Sequence, residues 1–121
     1  MVSLDDIIAS ATESGIDRAQ AEAFCQKEGV SLYDLYNRAA VTIARRFRDG
    51  MMSYDDADAA MNRIWGMVIE DTVKFGNGFE LPEPAFSIYE AFDAGEYDHG
   101  DGADPVEKYT RPLVAKIVGD A

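Results

Sequence analysis

Apolar residues recur at helical spacing along two stretches of the chain between residues 31 and 75. The first stretch carries Leu32, Leu35, Tyr36, Ala39, Ile43 and Phe47. The second carries Tyr54, Ala57, Met61, Ile64, Trp65, Val68, Thr72 and Phe75. Residues three and four positions apart share one face of a helix, so each stretch predicts an amphipathic helix. Gly50 is placed to end the first helix, and Ser53 with Asp56 to cap the second. A link this short predicts an antiparallel helical hairpin over 31–75.

Start and stop signals predict shorter helices on either side of this hairpin. Ser3 and Asp17 are N-cap residue types, and each precedes a stretch that ends at a glycine. Pro84 suits the first turn of a strongly apolar helix at 85–94. Pro112 interrupts the last apolar stretch, which predicts one turn at 105–110 and a short helix at 111–118.

Two glycine positions carry more specific predictions. Gly66 lies inside the second hairpin helix, where glycine costs about 1 kcal/mol relative to alanine, so it predicts close approach by a neighbouring helix. Gly76-Asn77-Gly78 is expected to end that helix. No segment alternates apolar and polar residues as a strand does. We therefore expect an all-α fold: one compact, bundle-like domain over 1–121, with five to seven helices built on the 31–75 hairpin.

The net charge of −12 is distributed unevenly along the chain. Residues 75–107 contain nine acidic residues and no lysine or arginine. Such a negative surface repels nucleic acid phosphates and anionic lipid, so neither is an expected partner. It attracts basic proteins and accelerates their encounter.

Cysteine usage and the N-terminal sequence favour a cytoplasmic protein. The single Cys25 excludes an intramolecular disulfide and any zinc site made of several cysteines, and it is expected to be a small core residue. The N-terminus lacks the basic and apolar regions of a signal peptide. Charges interrupt every apolar window before it reaches membrane-spanning length.

The segment 96–107 is the strongest candidate for chemistry in the sequence. Its five carboxylates offer oxygen ligands for a weak divalent-cation site, although Asp101 stands where a calcium-binding loop needs glycine. These candidate ligands are Glu96, Asp98, Asp101, Asp104 and Glu107. Without a cation we expect a mobile, solvated loop of mutually repelling charges. His99, the only histidine, lies in this glycine-flanked segment and is expected to lack the rigid support that catalysis needs.

The first hairpin helix concentrates positive charge. It carries Arg38, Arg45, Arg46 and Arg48. Arginine clusters bind carboxylate or phosphate groups. Because the chain is rich in acidic residues, we expect these arginines to pair within the fold.

The leading functional hypothesis is a protein–protein interaction module that binds a basic partner, without a cofactor. Aromatic residues would supply contact energy and acidic residues would supply association rate. The predicted contact residues are Tyr89, Phe92, Asp93, Glu96, Tyr97, Asp98, Asp101, Asp104 and Glu107. In size, acidity and helix content the chain resembles bacterial immunity proteins, which neutralise toxic enzymes, although no sequence motif links it to them.

Two other functional classes remain open. One is a helical small-ligand-binding protein, or an enzyme that uses carboxylate chemistry. The other is a self-associating structural subunit, such as a homodimer, which the apolar helix at 85–94 suggests.

Overall fold

A computed structural model describes residues 2–75 and 80–119, and all regular secondary structure in these residues is helical, without a strand. The elements are α1 (Leu4–Glu13), α2 (Arg18–Glu28), α3 (Leu32–Arg48), α4 (Tyr54–Phe75), α5 (Ala85–Asp93), a π-helical turn (Val106–Thr110) and α6 (Arg111–Val118). The all-α prediction and the number of helices are confirmed. The predicted stop at Gly76-Asn77-Gly78 lies outside the described residues.

Local capping explains most of the helix boundaries. The Ser3 hydroxyl accepts a hydrogen bond from the Asp6 N–H, and the Asp6 carboxylate accepts one from the Ser3 N–H. Ser31 and Asp34 form the same reciprocal box at the start of α3. Gly50 follows α3 with a φ of +76°, the left-handed conformation that glycine adopts without steric cost. The turn after it reverses the chain into α4 and makes the predicted hairpin.

The hairpin of α3 and α4 forms the centre of the molecule. α1 packs on α4, α5 packs on both hairpin helices, and α6 packs on α3 and α5. Ile43, Ile64 and Ile88, one from each of α3, α4 and α5, are fully buried in this core. Burying such a side chain contributes about 2 kcal/mol. The apolar side of α5, which suggested self-association, therefore packs largely inside the fold.

A buried polar network ties three helices together. Asp71 on α4 is fully buried, and its Oδ2 accepts a hydrogen bond of 2.5 Å from the Tyr36 hydroxyl of α3. Arg18 at the start of α2 places Nη2 2.9 Å from Asp71 Oδ1. Burying a carboxylate is costly unless it is paired and hydrogen-bonded, and this one is both.

The close approach predicted for Gly66 is found at Gly95 instead. Gly66 is exposed, and a β-carbon there would meet nothing within 4 Å, so the predicted close approach at this residue is wrong. Gly95, which follows α5, is buried. A β-carbon at Gly95 would collide with the Thr110 hydroxyl and would lie 2.9 Å from the Tyr54 hydroxyl. Gly95 is the residue that allows the chain after α5 to approach α4 and the π-helical turn.

Candidate interaction surface

Three aromatic side chains stack where α4 meets α5. The Trp65 ring of α4 lies 5.0 Å from the Tyr89 ring and 5.3 Å from the Phe86 ring, with interplanar angles of 13° and 25°. Phe86 and Tyr89 are three residues apart on α5, so both face α4. Trp65 is buried, as its place on the predicted apolar face requires, whereas Phe86 and Tyr89 remain partly exposed.

Carboxyl groups gather beside this stack. The Asn62 side-chain amide donates to Glu96 Oε2 at 3.0 Å and, more weakly, to Asp58 Oδ2 at 3.4 Å. Asp93 follows Tyr89 by one turn of α5 and adds its negative charge to that of Glu96 around Asp58. We call these residues, together with the aromatic stack, the acid–aromatic surface. It consists of Asp58, Asn62, Trp65, Phe86, Tyr89, Asp93 and Glu96.

The negative charge of this surface is not neutralised within the fold. Among the described residues, no lysine or arginine forms an ion pair with Asp58, Asp93 or Glu96. Burial, followed by the hydrogen bond and the charge of Glu96, raises the pKa of Asp58 to about 7. In its protonated form Asp58 carries no charge, which removes its repulsion with Asp93 and Glu96. Burial and the charges of Asp93 and Glu96 also raise the pKa of the Tyr89 hydroxyl.

The loop after α5 is held by side-chain contacts, although most of its residues are exposed to solvent, as its composition predicts. His99 Nε2 lies 2.7 Å from the carbonyl oxygen of Ala94. The His99 ring stacks on Tyr109 at 3.8 Å and packs against Tyr97 at 4.3 Å. The expectation that His99 lacks support is therefore wrong, because two aromatic rings and a backbone carbonyl fix it.

Asp101 is the main exception to the expected repulsion in this loop. Its carboxylate accepts hydrogen bonds from Lys108 Nζ at 2.7 Å, from the Tyr109 hydroxyl and from the Ala103 N–H. These donors, of which Lys108 has the largest effect, hold the pKa of Asp101 well below its ordinary value. Glu107 likewise pairs with Arg111. Asp101 and Glu107 were both predicted to contact a partner. Each is instead neutralised by a base, Lys108 or Arg111, that follows the segment 75–107.

The other predicted contact residues divide into three groups. Tyr89, Asp93 and Glu96 come together in the acid–aromatic surface. Tyr97 is 54% exposed beside it, which leaves its ring open to a partner. Phe92 is fully buried against Phe47 and Tyr54, so its predicted role as a contact anchor is wrong.

Asp98 and Asp104 are exposed, but each accepts a hydrogen bond within its own loop. Asp98 binds the Gly100 N–H at 2.8 Å, and Asp104 binds the Val106 N–H at 3.0 Å. These contacts fix local turns of the loop, and both carboxylates remain exposed.

The candidate cation ligands are not brought together. In residues 2–75 and 80–119, no three histidine, cysteine or acidic side chains are grouped so that they could hold a metal ion. Glu96 turns to Asn62, whereas Asp101 and Glu107 have basic partners.

Sequence reasoning missed two polar members of the surface, Asp58 and Asn62. They precede Trp65 on α4 by seven and three residues, a spacing that places all three on one side of a helix. That spacing is present in the sequence, but polar residues on one side of an amphipathic helix are by themselves typical of a solvent-exposed face. The packing of α5 against this side of α4 brings in Glu96 and Phe86.

Cys25 is partly buried against the core. Burial, and then the nearby charge of Asp34, raises the pKa of its thiol. A thiol of this kind is less often in the reactive thiolate form, which agrees with a structural role.

No protein-family model, curated protein or solved structure matches the chain. Within the two described ranges, no helix has the length and apolar character needed to cross a membrane.

Proposed function

We propose that the protein is an acidic interaction module that binds a basic partner protein through the acid–aromatic surface. The observation that carries this proposal is the set of three carboxyl groups, Asp58, Asp93 and Glu96, which share a site without a basic neighbour among the described residues. Carboxylates placed together repel one another, and a lysine or arginine from a partner relieves that repulsion.

The aromatic stack supplies the apolar half of such a contact. A lysine or arginine side chain has an apolar stem, which can lie against Phe86 and Tyr89 while its charged end reaches Asp93 and Glu96. A cation over the face of a tyrosine ring gains further attraction from the ring quadrupole. The net charge of −12 steers basic partners toward the molecule and raises the association rate at low salt.

Trp65 is the only tryptophan and lies within the proposed site, so its fluorescence reports binding. The probe is a synthetic helical lysine/leucine peptide, and its control is the same peptide with glutamine in place of lysine. We expect the lysine peptide to change Trp65 emission saturably, with an affinity that falls as salt rises.

The test compares two double variants with the same change in net charge. Asp93→Asn with Glu96→Gln removes charge from the surface, whereas Glu22→Gln with Glu28→Gln removes it from α2, which packs on α1 and α3. We expect the first pair to weaken binding about tenfold or more and the second about twofold or less. Equal losses in both would show attraction by total charge alone and would overturn the proposal.

A further inference from the structure

An open groove follows the solvent side of α3. Arg38, Val41, Thr42 and Arg45 occupy positions i, i+3, i+4 and i+7, so they share one face of the helix. Together with Leu4 and Asn37 they line a groove of about 340 Å³, which we call the α3 groove. Small-molecule sites commonly occupy roughly 300–1,000 Å³, so the groove lies at the lower end of that range.

The polar lining of the α3 groove is rich in hydrogen-bond donors. It contains two guanidinium groups and one amide, and no carboxylate is among the lining residues although the chain has 23 acidic residues. The Thr42 hydroxyl also lines the groove, but it donates its hydrogen to the Arg38 carbonyl oxygen at 2.8 Å and so offers the groove only an acceptor. Asn37 Oδ1 accepts a hydrogen bond from the Ala85 N–H at 3.0 Å. This contact fixes the orientation of the Asn37 amide and uses its acceptor, which leaves the NH₂ group as a donor.

The four arginines of α3 fall into two pairs that the fold treats differently. Arg46 forms an ion pair with Asp5, and Arg48 pairs with Asp49 and donates to the carbonyl oxygen of Val118. In contrast, Arg38 and Arg45 are exposed, and no carboxylate of the described residues lies within 4.0 Å of either guanidinium. The expectation that these arginines pair within the fold is confirmed for two of them and wrong for the other two.

We infer that the α3 groove binds a small organic anion that carries an acidic group at each end of an apolar body. Arg38 and Arg45 are seven residues apart, a helical rise of about 10 Å, so one guanidinium can hold each end. Val41 lies between them on α3, and Leu4 of α1 extends the apolar floor. An anion with an acidic group at each end contacts both arginines and the apolar floor between them. A compact anion contacts only one of the two arginines. This inference is independent of the proposed function of the acid–aromatic surface.

Calorimetric titration with three carboxylates tests the inference. Sebacate has a carboxylate at each end of a long chain, decanoate has one carboxylate on a chain of the same length, and succinate has two on a short chain. We expect sebacate to bind about tenfold more tightly than either of the others. Arg38→Gln and Arg45→Gln should each reduce sebacate binding about tenfold, to the level of decanoate. Lys27→Gln, which makes the same charge change on α2, should leave it unchanged.

These variants are expected to fold, because neither arginine has an ion pair to lose within the described residues; the thermal midpoint checks this. A second variant, Val41→Glu, places a carboxylate three residues after Arg38 and four before Arg45. It should abolish sebacate binding while the protein stays folded, because the new side chain occupies both guanidinium groups.

Three results would overturn the inference. They are undetectable sebacate binding to the unmodified protein, sebacate binding that survives in both arginine variants, and binding of an oligoglutamate peptide without binding of sebacate. The last result would assign the groove to an acidic protein segment.

Discussion

At the scale of single residues, Asp58 connects the architecture to the proposed function. It lies within reach of Glu96, and the charge of Asp93 adds to the repulsion, so its pKa rises from 3.8 to about 7. A carboxyl group that holds its proton more tightly when folded stabilises the protein most at low pH. This stabilisation is complete below the pKa of the unfolded chain, near 3.8, and is lost as the pH rises through about 7.

Replacing Asp58 with asparagine should remove this pH dependence. Asparagine keeps a hydrogen-bond donor toward Glu96 and cannot ionise. Between about pH 4 and about pH 8, we expect the unmodified protein to lose about 1 kcal/mol of unfolding free energy relative to Asp58→Asn. The expected loss is this small because solvent screens the charge at a half-buried position. Urea unfolding across this pH range measures it, with Glu22→Gln as the control. Parallel pH profiles for the unmodified protein and Asp58→Asn would contradict the assignment.

Tyr36 supports the fold through the other buried carboxyl group. Tyr36→Phe removes the hydroxyl that donates to Asp71 Oδ2 and leaves that oxygen without its donor in a fully buried position. We expect a loss of about 2 kcal/mol in unfolding free energy. Tyr33→Phe is the matched control, because the Tyr33 hydroxyl makes only a 3.4 Å contact with the Glu83 N–H at the surface. Similar losses in the two variants would mean that the Asp71 contact does not stabilise the core.

At the scale of elements, the two informative glycines give opposite predictions. Gly66→Ala should raise the unfolding free energy by about 1 kcal/mol, because the site is open and alanine favours the helix. Gly95→Ala should lower it by about 2 kcal/mol. The new β-carbon would meet the side chains of Thr110 and Tyr54, which are held by hydrogen bonds to the Ala91 and Phe92 carbonyl oxygens. Thermal or urea unfolding of both variants checks the pair, and equal shifts would contradict it.

The helices were predictable because their signals are local. The capping box of Ser3 and Asp6 and the left-handed Gly50 act over a few residues, and each is found where the sequence predicts it. Before Pro112 the predicted interruption is a π-helical turn that runs directly into α6, so the backbone stays helical there. The roles of Gly66 and Gly95 were not predictable, because each depends on which distant side chain packs nearby.

Part of the candidate site was predictable from the sequence, because three of its residues lie close together along the chain. Tyr89, Asp93 and Glu96 could be chosen from composition and their position on or just after α5. Composition could not show that these three are available to a partner whereas Asp101 and Phe92 are not. Asp101 is bound by Lys108, seven residues later, and Phe92 is buried. The membership of Asp58 and Asn62 depends on how α5 lies across α4, which is a property of the tertiary fold.

At the scale of the whole molecule, charge separates into two kinds of surface. On the acid–aromatic surface, carboxyl groups meet without a basic neighbour among the described residues. On the α3 groove, Arg38 and Arg45 meet no carboxylate within ion-pair distance in the same described ranges. Elsewhere among the described residues, six lysine and arginine side chains form ion pairs, as in Lys108 with Asp101 and Arg46 with Asp5. Because the charged groups of each surface lack ion pairs among the described residues, each surface is suited to a ligand of opposite charge.

The most direct measurement of that claim is proton release when the lysine/leucine peptide binds. Near pH 7 the Asp58 and Glu96 pair holds roughly half a proton at Asp58, and an arriving cation lowers that pKa. Calorimetry of the same titration in phosphate and in Tris buffers should show release of up to about half a proton from the unmodified protein. Asp58→Asn should bind the peptide with almost no release. Equal binding heats in the two buffers for the unmodified protein, or equal release from Asp58→Asn, would contradict the account.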